Sequence, residues 1–135
     1  MTGSALAAAL RSCAAGLYPA EAACDLLIAI GWPGREDFSR FISTGTSISD
    51  GRTLMAAVDW HAAIGSLDAG RLPCGGSERR LLRLAASLAD GIPVDLQDAV
   101  TGLDTVNINR VTAAIRHAAG HRATQVKTVT GTSAQ

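Results

Sequence analysis

The sequence predicts an all-α fold, a compact bundle-like or orthogonal packing of six to seven helices. Three observations carry that expectation. Apolar residues make up 47% of the 135, and most of them are Ala and Leu, strong helix formers. They recur every three to four positions, the period of one helical face. Only five residues are aromatic, and clusters of Val, Ile and Thr that would mark strands are sparse. A single domain is expected over 1–120, followed by a loosely ordered tail over 121–135 that is rich in Thr, Ser and Gly.

The elements follow in order. A first helix covers 4–15 and ends at Gly16. Pro19 suits the first turn of a second helix, whose stripe is Ala20, Ala23, Cys24, Leu27 and Ile30. Gly31-Trp32-Pro33-Gly34 stops it. Residues 35–43 form a short amphipathic turn. Phe38, Phe41 and Ile42 point one way, and Glu36 and Arg40 are spaced to pair. After a polar loop from Thr44 to Asp50, a helix should start near Ser49 or Asp50. Its stripe is Leu54, Ala57, Val58, His61, Ile64 and Gly65, with Trp60 at the flank; Gly70 and Pro73 end it. Ser77 caps the next helix, with Leu81, Leu84, Ala85 and Leu88 on one face and Arg79, Arg80, Arg83 and Ser87 on the other. Gly91 and Pro93 close it. Asp95 caps a short helix to Thr101, Gly102 turns the chain, and Asp104 caps the last helix. Ile108, Val111, Ile115 and Ala118 form its expected buried stripe, and Gly120 ends it.

The formal net charge is zero, so no global field draws the chain to nucleic acid or a membrane surface. The C-terminal part is mildly basic: residues 77–135 hold seven Arg and Lys against five Asp and Glu. No apolar run approaches a bilayer span, and the start of the chain lacks the basic region of a secretory signal. Cys13, Cys24 and Cys74 are odd in number and far apart, which fits a reducing compartment. Cytoplasmic localisation is the expectation.

The stretch Gly102-Leu103-Asp104-Thr105-Val106-Asn107-Ile108-Asn109-Arg110-Val111 resembles the second half of a helix-turn-helix, within a corner at 95–119. Gly102 would make the turn and Leu103 would plug it into the core. Ile108 and Val111 would face inward, leaving Thr105, Val106, Asn109 and Arg110 toward the exposed side. Asn and Arg can read base edges or hold phosphates. Arg116 and the tail residues Arg122 and Lys127 would add phosphate contacts. The first half departs from the pattern. Asp98 stands where touching helices need a small residue, and Thr101 replaces an apolar one. An αα-corner that serves packing alone is the competing reading.

Arg79, Arg80 and Arg83 span about 100° of one helix. They suit phosphate, RNA or an acidic partner; a solvated polar face is the plainer account. Cys74, ahead of the same helix, is a candidate for a lowered thiol pKa or an anion loop, though the Lys and Ser/Thr of a P-loop are missing and an ordinary loop is the plainer account. His117 and His121 have metal-like spacing that Gly120 interrupts, and His61 reads as a core or boundary histidine. No catalytic or cofactor fingerprint is present.

The runs Asp59-Trp60-His61-Ala62-Ala63-Ile64, Leu72-Pro73-Cys74-Gly75-Gly76-Ser77-Glu78, Leu81 to Leu88 and Pro93-Val94-Asp95-Leu96 resemble a group of short, uncharacterised proteins of high-GC actinobacteria. The likeness covers residues 17–122, and it implies a source and no activity. The resulting expectation is a non-enzymatic helical binding module without cofactor or metal. A DNA-associated regulator is its sharpest form. The alternative is a protein–protein interaction subunit, a helical homodimer or an adaptor; Ala- and Leu-rich residues 4–15 would supply the dimer face.

Overall fold

The structure, a computed structural model, describes residues 2–121. The elements are α1 (Gly3–Ala14), α2 (Tyr18–Ala29), two 3-10 turns (Trp32–Gly34 and Glu36–Phe41), β1 (Ile42–Thr46), β2 (Leu54–Val58), α3 (Trp60–Asp68), α4 (Gly76–Asp90), α5 (Leu96–Val100) and α6 (Thr105–Ala118). The fold is thus mostly helical, with one small antiparallel hairpin that the all-α expectation lacks.

α2 and α4 form the central pair. α2 buries Ala22, Ala23, Leu26 and Leu27, and α4 buries Leu81, Leu82, Leu84, Ala85 and Ala86. Small side chains on both helices let the backbones approach closely. α6 packs mainly on α2 and also on α4, α5 leans on α4, and α1 packs on α2 and on β2. Trp32 and Phe38, both fully buried, fill the end of the core with ring centroids 5.2 Å apart.

The hairpin overturns the helix expected from Ser49 or Asp50. Leu54, Met55, Ala56 and Ala57 favour helix in isolation. Here they pair with Ile42–Thr46, from Ile42 opposite Val58 to Thr46 opposite Leu54. β2 lies along α1, with Ala56 buried beneath it. Long-range pairing and burial override local propensity. The tip is built by Asp50, whose Oδ1 accepts from the N–H groups of Arg52 and Thr53, with Gly51 at φ 65°. The next helix starts only at Trp60, where Asp59 Oδ1 accepts from Ala62 N–H at 3.1 Å.

Other expectations shift by smaller amounts. α4 is capped at Gly75, not Ser77, because the Glu78 carboxylate reaches back to accept from Gly75 N–H at 3.0 Å. Arg40 does not pair with Glu36; it donates to Ser66 Oγ at 3.1 Å and lies 4.9 Å from the Phe41 ring centroid. His61 is not a core residue, because it is exposed and faces Asp90 at 3.1 Å. Asp95 and Asp104 cap α5 and α6 as expected, and Gly102 turns between them at φ 82°.

The face of α6 is also rotated. Val111 and Ala114 are buried, whereas Ile108 is 36% and Ile115 51% exposed. The docked face instead includes half-buried Asn107, Arg110 and His117. These polar groups find partners there, so their burial carries little penalty. Residues 122–135, including Arg122 and Lys127, lie outside the described residues. No helix among the described residues is long and apolar enough to cross a membrane.

Candidate functional site

α4 is amphipathic because leucine and alanine fill one broad face and Arg79, Arg80, Arg83 and Ser87 the other. The segment after Gly91 folds back along the N-terminal half of this polar face. Pro93, Val94, Asp95, Asp98 and Ala99 then stand across from Arg79, Arg80 and Arg83, enclosing a cleft of about 270 Å³. All three arginines singled out in the sequence therefore meet at one place.

Their situations differ. Arg83 is half-buried and ion-paired to Asp68 of α3. Arg80 is half-buried and reaches toward the corner: a β-carbon at Gly102 would stand 3.4 Å from its Nη1. Arg79 is exposed. Neither Arg79 nor Arg80 has an acidic partner within ion-pair distance among the described residues. Both lie in the first turns of α4, where the helix dipole disfavours cations. Asp95 and Asp98 line the same cleft. Sequence reasoning assigned Asp95 only its capping role, and its Oδ1 does accept from Asp98 N–H at 3.4 Å. The meeting of Asp95 and Asp98 with the arginines in one cleft has no local sequence signal.

The five residues expected to meet DNA divide. Thr105, Val106, Asn109 and Arg116 are exposed on α6. Arg110 is not on that side. It is half-buried, and its Nη1 donates to Asn107 Oδ1 at 3.0 Å. The corner also differs from a packed helix pair: α5 has five residues and leans on α4, while α6 lies on α2 and α4. Ala99 is the buried residue of α5, and Asp98 is exposed.

A second polar cluster joins α6 to the start of α2. His117 Nε2 lies 2.7 Å from Glu21 Oε1, and its Nδ1 lies 3.5 Å from Asp25 Oδ2. Glu21 Oε2 also accepts from Gly16 N–H at 2.8 Å, and Arg11 Nε donates to Asp25 Oδ1 at 3.1 Å. The sequence separation between His117 and Glu21 hid this cluster. Its partners are those of a helix clasp, and the described residues hold no group of three metal-binding side chains.

Cys74 does not have the lowered thiol pKa that is one reading of its place before α4. Burial, then the Glu78 carboxylate, raises its thiol above 9.0, and nearby Arg35 and Arg79 only partly oppose this. Comparison with protein-family models, with curated proteins and with solved structures finds no match to this chain.

Proposed function

We propose that the chain is a non-enzymatic helical binding module, an adaptor that docks a short acidic segment of a protein partner in the cleft between α4 and α5. One observation carries this reading: Arg79 and Arg80 line the cleft without ion-pair partners among the described residues, together with the apolar side chains of Pro93, Val94 and Ala99. Arginine is enriched at protein interfaces, where its planar head pairs with carboxylates while its stem lies along apolar surface. Asp95 and Asp98 on the facing wall favour a short segment with few charges over a continuous phosphate backbone, which they would repel.

The test is anisotropy with two labelled probes, a peptide bearing two Glu beside a Leu and a duplex DNA, at low and high salt. The reading expects the peptide to bind, and Arg79→Glu with Arg80→Glu to abolish it. A second reading is favoured by the solvent-facing set Thr105, Val106, Asn109 and Arg116: DNA contact through α6. Duplex binding that falls with salt and is lost in Asn109→Ala with Arg116→Ala would support it in place of the first. Binding of neither probe defeats both.

A further inference from the structure

We propose that the groove between α2 and α6 is a binding site for a small amphipathic organic anion, a carboxylate on an apolar chain, with Arg110 as its counter-charge. Two cavities, of about 440 Å³ and 190 Å³, share Arg110 and Ala29 as walls. The larger one alone falls within the roughly 300–1,000 Å³ of small-molecule sites. Ile28, Ile30 and Leu81 give it apolar walls, and Asn107 and Ser77 supply polar ones. The smaller continues between Leu26 of α2 and Ala113 of α6 toward His117. A mostly apolar groove with a few convergent polar groups is the usual make-up of a ligand site.

The charges show which ligand fits. Arg110 is half-buried, and its Nη1 donates to a neutral amide, Asn107 Oδ1. Two carboxylates border the groove, but each is engaged elsewhere. Glu78 accepts from Gly75 N–H and faces Arg35 Nη1 at 3.8 Å. Asp25 is held by Arg11 and faces His117. Arg110 thus has no carboxylate within ion-pair distance among the described residues, and its remaining donors are open to an anion that enters the groove. A carboxylate takes a guanidinium in two parallel hydrogen bonds, and an attached alkyl chain would cover the isoleucine and leucine walls. Inorganic phosphate would leave those walls wet. This site uses neither Arg79 nor Arg80, so it stands apart from the α4–α5 cleft.

Titration of the full chain with octanoate, octylamine and inorganic phosphate, followed by calorimetry, tests the assignment. Octanoate should bind saturably, with octylamine and phosphate about tenfold weaker or more. Arg110→Gln should weaken octanoate by a similar factor at unchanged helical circular dichroism. Ala113→Leu, at an exposed helix position, should narrow the smaller cavity and select against longer alkyl carboxylates. Absence of saturable octanoate binding overturns the proposal, as does equal affinity in a folded Arg110→Gln. Should that variant fail to fold, the wild-type preference for octanoate over octylamine decides the matter. Phosphate binding as tightly as octanoate would overturn the amphipathic class.

Discussion

The guanidinium of Arg35 sits 4.3 Å from the centroid of the Trp32 ring. The same group donates to both oxygens of Asp37, at 3.0 and 2.8 Å, and to Pro73 O at 2.6 Å. Trp32 in turn donates from Nε1 to Glu78 O at 3.4 Å. The connection from α2 to the hairpin is thereby tied to the start of α4, the helix that carries the arginine cleft.

Trp32→Ala should be among the most damaging substitutions. The ring is fully buried, and its removal should cost about 3–5 kcal/mol in urea unfolding. Trp32→Phe keeps most of the volume and forfeits the bond to Glu78 O, so its loss should be smaller.

Acid should weaken this junction in a defined direction. The hydrogen bond from Arg35 holds the Asp37 carboxyl below its ordinary 3.8. A depressed folded-state pKa contributes stability above the unfolded value, and that contribution is lost as pH falls through the folded one. The urea midpoint of the wild type should therefore fall below pH 4 more steeply than that of Asp37→Asn. At the hairpin tip, hydrogen bonds from the Thr53 hydroxyl and then from backbone N–H groups push Asp50 down to about 2. Thr53→Val should raise that value in an NMR titration.

The register of α6 is open to a direct comparison. Val111→Ala should cost about 1–3 kcal/mol because the side chain is buried. Ile108→Ser and Ile115→Ser should each change stability far less. Equal losses at all three positions would contradict the rotated face.

His117→Ala should loosen the clasp between α6 and α2. Its bond to Glu21 at 2.7 Å involves an ionisable acceptor at 18% side-chain exposure, so about 1–3 kcal/mol should be lost. Amide exchange should speed up first near the end of α6.

Thiol labelling at neutral pH should start at exposed Cys13. Burial, then Asp25, pushes Cys24 up to about 11, so it should react only on unfolding. Cys74, whose thiol is also raised, should show no acceleration over a free cysteine. Selective fast labelling of Cys74 would revive a thiol chemistry.

Much of the candidate site was legible. The three arginines share one helix face, a local property that spacing states directly, and the cleft contains all three. Asp95 and Asp104 were legible as caps because capping acts over three residues. What faces Arg79 and Arg80 was not legible, since it depends on how the chain returns after Gly91. Arg110 was misplaced for a related reason. Hydrophobicity assigned Ile108 and Ile115 to the core, whereas α6 turns toward partners on α2 and α4 that local periodicity cannot see.

By itself, the sequence determined the helical elements with strong periodicity, the Asp95 and Asp104 caps, the glycine stops, and the shared face of the arginines. These follow from interactions within a few residues of the chain. Only the tertiary structure decided that Leu54–Val58 would be a strand, which face of α6 would be hidden, and that His117 would meet Glu21. Each of those outcomes balances weak local preferences against burial and hydrogen bonding between distant segments, and the distant terms are the larger.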